Sequence, residues 1–338
     1  MRKDFPAMAL PCPKRLSLAR TPTPIQKLER IGAELGVELY VKRDDMTGLE
    51  LSGNKVRKLE FLLAEALDSG ADTVVTCGGV QSNHCRATAA ACVRLGLACH
   101  LILRTEPPKP PYDGNLLLDY LFGATFTFMP YPEYKKSEEF DFKEVNEGLR
   151  RMGKKPFFIP VGGSVAMGCW GYACAFEETV SQLEERGIKK AHFVSAIGSG
   201  GTHAGLVLGQ ALTRRRDISI TDFNVCDTPE YFRGKTAALL KGAKERFHLS
   251  INAEEASCSI IGGYVGPGYA QAYPELIETM KWAAREEAII LDPVYTGKAF
   301  HGLITEIRAG RFPRKDPIVF FHTGGVFGIF PQKNEFTF

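Results

Sequence analysis

The chain has 338 residues, 44% of them hydrophobic and 24% charged, with a formal net charge of only +3. That composition describes a soluble globular protein of one large or two ordinary domains, without the positive field that would draw in nucleic acid. No apolar stretch approaches the ~20 residues of a membrane span, and Met1-Arg2-Lys3-Asp4-Phe5-Pro6 is not followed by the apolar run of a secretory signal.

Short β-rich runs alternate with helical patterns along the chain. Residues 54–69 place Val56, Leu59, Leu62, Leu63 and Leu67 on one side of a helix, and Gly70 stops it. A strand pattern at 73–76 leads to an Ala-rich helix at 82–95, closed by Gly96, and further strands fall at 99–103, 125–128 and 156–160. Pro107-Pro108-Lys109-Pro110-Pro111 reads as a stiff surface connection. A helix at 166–186, a strand at 191–196, a helix at 202–212 and a strand at 218–225 follow. The chain ends on helices at 274–285 and 298–309, with strands at 288–291 and 318–322. Most strand runs are apolar throughout rather than alternating, which suits parallel strands covered on both faces. The expected class is α/β with mostly parallel sheets.

The basic runs Lys135-Lys136 and Arg214-Arg215-Arg216 are short enough for solvated helix ends or loops. The nine cysteines, Cys12, Cys77, Cys85, Cys92, Cys99, Cys169, Cys174, Cys226 and Cys258, are odd in number and irregularly spaced. They predict free thiols in a reducing, cytoplasmic setting. Cys169 and Cys174 have no second pair or His cluster to complete a metal site, so no metal is expected and both read as small buried hydrophobes.

Four segments carry candidate chemistry. In Ser52-Gly53-Asn54-Lys55-Val56-Arg57-Lys58 a lysine stands at a helix start, where the helix dipole and the nearby cations favour the neutral amine that imine chemistry needs. An ordinary surface lysine is the alternative. In Cys77-Gly78-Gly79-Val80-Gln81-Ser82-Asn83-His84 a strand ends, two glycines turn the chain and a helix begins. Ser82 has two roles open to it, a helix N-cap or a group holding a substrate carboxylate. Gly198-Ser199-Gly200-Gly201-Thr202 also links strand to helix and suits a phosphate, although no Walker lysine follows. His203 beside it reads as a helix-surface residue. Finally, Asp292-Pro293-Val294-Tyr295-Thr296-Gly297-Lys298 and His322-Thr323-Gly324-Gly325 each follow an apolar strand pattern.

Taken in order, S-G-N-K, G-G-V-Q-S-N-H, G-S-G-G-T, D-P-V-Y-T-G-K and H-T-G-G resemble the D-cysteine desulfhydrase and 1-aminocyclopropane-1-carboxylate (ACC) deaminase family, pyridoxal 5'-phosphate (PLP) enzymes of the tryptophan-synthase-β-like fold. The resemblance runs from about Thr23 to Gly325, and residues 326–338 carry no family motif. It implies a fold of two doubly wound domains. The larger, PLP-binding domain would comprise residues 1–55 and 166–338, and the smaller would be inserted at 56–165. It makes Lys55 the Schiff-base lysine. Ser82 would lie near the substrate, Asn83 beside the cofactor's phenolic oxygen, and Gly198, Ser199, Gly200, Gly201 and Thr202 would form the phosphate cup. Tyr269 and Tyr295 would be active-site tyrosines, Thr323 would face the pyridine nitrogen, and Ser82 and His84 would border the substrate carboxylate. Lys55 or Tyr295 would move the α-proton. The implied reaction is β-elimination of D-cysteine to pyruvate, ammonia and hydrogen sulfide in a cytoplasmic homodimer. ACC deaminase, L-cysteate sulfo-lyase and a silent binding protein on the same fold are the alternatives. ACC deaminases carry an acidic residue at the position of Thr296, an apolar one at that of Thr323 and more often glutamine at that of His84. This chain therefore sides with the desulfhydrases.

Overall fold

The computed structural model describes residues 12–106, 110–252 and 259–338. The N-terminal hexapeptide, Cys258 and Pro107-Pro108-Lys109 of the proline run lie outside these residues. In chain order the elements are β1 (Ile25–Lys27), α1 (Glu29–Leu35), β2 (Leu39–Lys42), α2 (Lys55–Asp68), β3 (Thr73–Gly79), α3 (Asn83–Leu95), β4 (Ala98–Arg104), α4 (Gly114–Leu121), β5 (Thr125–Met129), α5 (Tyr131–Glu138), α6 (Lys143–Arg151) and β6 (Pro156–Ile159). There follow α7 (Ala166–Glu184), β7 (Ala191–Ile197), α8 (Gly201–Thr213), β8 (Ile218–Asn224), α9 (Pro229–Phe247), β9 (Ser259–Ile261), α10 (Pro274–Glu287), α11 (Thr296–Arg308) and β10 (Ile318–Phe321).

The strands form two sheets. The larger has the order β1-β2-β10-β7-β8-β9 and the smaller β5-β4-β3-β6. Every pairing is parallel except β1 with β2 at one edge. The unbroken apolar runs have the expected cause: Ile318, Val319, Phe320 and Phe321 of β10 are all fully buried, because helices cover both faces. The structure thus has the α/β class with mostly parallel sheets that the strand patterns predict.

An ionic network fixes the start of α2. Arg57 donates to Asp44 at 2.8 and 2.9 Å and to Glu178 of α7 at 2.9 and 3.0 Å. Lys42 at the end of β2 reaches Glu178 as well, and the Tyr172 hydroxyl closes on Asp44 at 2.6 Å. Burial opposes these charges, but the Arg57 and Lys42 cations together hold the Glu178 carboxyl down at about 2. Buried pairs of this kind act mainly by fixing geometry, since desolvation offsets most of their attraction. Here they lock the helix turn that carries Lys55.

Several local expectations differ from the structure. Residues 288–291 form no strand. Ala288 is the left-handed C-cap of α10 at φ +53°, and β10 already has β2 and β7 on its two sides. Ile289 and Leu291 are buried there while Ile290 is exposed, so the apolar run packs as an extended connection. Leu67 is exposed rather than on the buried side of α2. His203 is fully buried, with Nδ1 3.2 Å from Asp222, and is not a helix-surface residue.

Candidate active site

The carboxyl ends of strands from both sheets meet at one cavity of about 700 Å³. This is where open α/β sheets place ligands. Gly78 and Gly79 end β3, Arg104 ends β4, Ile197 ends β7 with Gly198 just after it, and Thr323 follows β10, all on its lining.

Lys55 opens α2 on this cavity. Its Nζ donates to Asn54 Oδ1 at 2.9 Å and lies 5.8 Å from the centroid of the Tyr295 ring. Burial, reinforced by the Lys58 charge, holds its pKa well below 10.5. Asn54 ties three segments together. Its Nδ2 donates to Thr202 Oγ1 at 2.9 Å, and its backbone N–H donates to the Thr323 carbonyl at 3.1 Å. That approach requires glycine on both sides. Gly53 stands at φ +106°, and a Cβ there would meet the Thr323 oxygen at 2.7 Å. A Cβ on Gly324, at φ +88°, would meet Gly53 Cα at the same distance.

Ser82 caps α3, accepting from Cys85 N–H at 3.2 Å, and also faces the cavity. Asn83, the first residue of α3, is held by Asn115 at 3.1 Å. His84 is buried. Its Nε2 pairs with Thr76 Oγ1 at 2.9 Å, and burial, with the Lys55 and Lys58 charges, keeps it neutral by pushing its pKa well below 6.5.

The glycine loop leads into the N-terminus of α8. Gly198, Ser199, Gly200 and Thr202 line the cavity. Gly201 stands behind them: its N–H donates to Ser164 Oγ at 3.1 Å, and the Ser164 hydroxyl donates to Ser199 at 2.9 Å. Lys58, to which the sequence pattern gave no role of its own, stands behind this loop rather than on the cavity lining. It is buried, its Nζ donates to the Gly162 carbonyl at 3.2 Å, and a Cβ on Gly201 would come within 2.9 Å of that nitrogen. Burial brings its pKa down to about 8.

Tyr269 and Tyr295 line the opposite side and are hydrogen-bonded to each other through their hydroxyls. Burial and the neighbouring Tyr269 raise the Tyr295 pKa well above 10. Asp292 organises the turn before α11, accepting from the N–H groups of Val294 and Tyr295 at 2.9 Å and of Thr296 at 2.8 Å. The Thr296 hydroxyl is fully buried in that turn. It donates to Asp292 Oδ1 at 2.7 Å and accepts from Asp292 N–H at 2.8 Å, and the residue does not reach the cavity lining. Thr323 does.

The geometry agrees with the comparisons. Residues 16–324 match the pyridoxal-phosphate dependent enzyme family. The chain belongs to that family. It is 45% identical, over 94% of its length and 80% of the relative's, to the bifunctional D-cysteine desulfhydrase/1-aminocyclopropane-1-carboxylate deaminase, mitochondrial, of Arabidopsis thaliana. It is 38% identical to the D-cysteine desulfhydrase of Salmonella typhi, over 94% of this chain and 95% of that one. A crystal structure of an ACC deaminase homologue superposes with a TM-score of 0.87 at 38% identity and 95% coverage of both chains. The site suits this family's cofactor. Lys55, half-buried with its pKa held well below 10.5, suits an aldehyde, and a helix N-terminus with a glycine cradle and Lys58 behind it suits a phosphate.

Proposed function

We propose that this cavity carries out β-elimination of D-cysteine, releasing pyruvate, ammonia and hydrogen sulfide. The observation that carries the reading is the placing of Lys55, whose pKa burial and the Lys58 charge hold well below 10.5, between the Tyr295 ring and the Asn54–Thr202 bridge. In this reading Lys55 anchors pyridoxal phosphate covalently. Gly198, Ser199, Gly200 and Thr202, with Gly201 behind them and Lys58 as counter-charge, hold its phosphate. Asn83 would hold its phenolic oxygen and Thr323 would face its pyridine nitrogen. When bound, the cofactor supplies the electron sink for charge developing at Cα.

The rest belongs to the protein. The Ser82 hydroxyl and the N-terminus of α3 hold the substrate carboxylate, and buried, neutral His84 borders it without adding charge. In this reading Lys55 and Tyr295 take different proton roles. Lys55 favours the unprotonated amine and so takes the α-proton. Tyr295, protonated and hydrogen-bonded to Tyr269, is the proton donor in this reading. As the Cβ–S bond breaks with its electron pair on sulfur, the Tyr295–Tyr269 pair delivers a proton to the leaving thiolate. Water then hydrolyses the released enamine to pyruvate and ammonia.

The preference for D-cysteine over ACC rests on Thr323, since the Thr296 hydroxyl is occupied by its turn. A thiolate leaves more readily than a cyclopropane ring opens, so its elimination proceeds with only a neutral hydroxyl near the pyridine nitrogen. We place the smaller domain at residues 56–165. The four strands of the smaller sheet all come from that stretch, supporting this division. A cytoplasmic setting is supported by the free thiols among the described residues. The family resemblance suggests a homodimer. The test is pyruvate and sulfide release by the cofactor-loaded protein from D-cysteine, with Lys55→Ala as the inactive control.

A further inference from the structure

Arg104 is an arginine of the cavity that the mechanism leaves without a task. It is the last residue of β4, so the smaller sheet delivers it, and its guanidinium carbon lies 5.2 Å from the ring centroid of Tyr269 and 5.7 Å from that of Tyr131. Tyr269 comes from the other side of the cavity and shares a hydroxyl contact with Tyr295, whose ring lies under Lys55. A continuous wall therefore runs from the reactive amine, across two tyrosines, to a guanidinium.

Stacking on rings satisfies the faces of a guanidinium and leaves its in-plane N–H groups free. Among the described residues no carboxylate lies within ion-pair distance of Arg104. The nearby rim groups Lys135 and Glu138 are paired with each other at 2.9 Å. The substrate carboxylate is already accounted for by Ser82 and the start of α3, on a different element. A second set of anion donors, aimed into a cavity of this size, calls for a second anionic group on the ligand. On a small α-amino acid that group can only be attached at or beyond Cβ.

We propose that Arg104 is an anion-binding subsite for the β-substituent of the substrate, so that the site favours small amino acids whose Cβ carries a thiolate, sulfonate or carboxylate. This rests on the reading of the cavity as an amino-acid β-elimination site. Arg104 then recognises the leaving group, and Tyr269 beside it relays the proton.

The test uses the PLP-loaded enzyme and two ligands of nearly equal shape that differ in charge, D-aspartate and D-asparagine, titrated by the change in cofactor absorption. Neither carries a good leaving group, so the titration reads binding. The wild type should bind D-aspartate about tenfold more tightly than D-asparagine. Arg104→Gln should remove that preference while leaving D-alanine affinity unchanged, and Arg104→Lys should retain part of it. Unchanged D-alanine binding shows that the variants are folded. Equal binding of the two ligands by the wild type, or a preference that survives in Arg104→Gln, would overturn the subsite. D-cysteine turnover is measured separately. Loss of the D-aspartate preference in the variant with no sulfide from the wild type would keep the subsite and refute the elimination reading.

Discussion

Asn54 donates a 2.9 Å hydrogen bond to the hydroxyl of Thr202, joining the start of the lysine-bearing helix to the start of the helix behind the glycine loop. The same side chain accepts from Lys55. One short residue thus sets the distance between the proposed covalent anchor and the proposed phosphate cradle. Asn54→Ala should lower cofactor affinity about tenfold and cost about 1–2 kcal/mol of stability, the range for a buried polar group left unpaired. Fluorescence-monitored cofactor release and urea unfolding measure the two effects.

If Lys58 is the counter-charge proposed above, phosphate binding should depend on pH. Its folded pKa of about 8 lies below the 10.5 of a free lysine. Without an anion, the buried charge therefore costs stability below pH 8, and stability rises as pH climbs from about 8 towards 10.5. A bound phosphate reverses the balance by holding the proton on. The affinity of the cofactor-free protein for pyridoxine phosphate, which lacks the aldehyde, should fall above about pH 8 with one proton taken up per ligand bound. Lys58→Met should bind weakly throughout and lose that component of the pH dependence. Isothermal titration in two buffers of different ionisation enthalpy counts the protons.

The two threonines of the C-terminal motifs should separate cleanly. Thr296→Val removes a turn hydroxyl with two buried hydrogen bonds and should lower stability by about 1–2 kcal/mol. It should leave the ratio of kcat/KM for D-cysteine and ACC nearly unchanged. Thr323→Leu should move that ratio with little loss of stability. Thermal unfolding and steady-state kinetics on both variants check the pair, and a specificity change confined to Thr296→Val would reverse the assignment.

Tyr295→Phe removes the proposed acid and should lower kcat for D-cysteine by about 10²-fold or more, the usual scale for general acid–base catalysis. KM should change little, because the ring remains. A substrate with a leaving group that needs no proton, such as β-chloro-D-alanine, should lose much less. Equal losses on both substrates would remove Tyr295 from the protonation of the leaving group.

The parallel α/β class was legible because strands such as 318–321 are buried on both faces and so read as unbroken apolar runs. The same signal misled at 288–291, where an apolar run is buried by packing under α10 without any ladder partner. Ladder pairing is a tertiary fact that periodicity does not carry. The three-residue strands β1 and β9 are too short to show a period at all. In the site, the two glycine loops follow strand–turn–helix grammar, whereas Lys55, which local pattern alone leaves an ordinary lysine, is singled out by the family resemblance. Lys58 and Asn54 stood in plain view within the same motif, yet their roles depend on Gly162, Ser164 and Thr202, more than 100 residues away. Arg104 ends a strand without any motif around it, and only the stacking on Tyr269 and Tyr131 singles it out. Thr296 shows the converse: a motif position that looks like a specificity determinant is a turn cap in the folded chain.

The most direct test of the central claim is a comparison of kcat/KM for D-cysteine, L-cysteine, L-cysteate and ACC on the PLP-loaded enzyme, with Lys55→Ala beside it. D-cysteine should be the preferred substrate, with pyruvate and sulfide formed in equal amounts and no turnover or borohydride-reducible cofactor link in the variant. A clear preference for ACC, with 2-oxobutanoate and ammonia as products and no sulfide from D-cysteine, would contradict it.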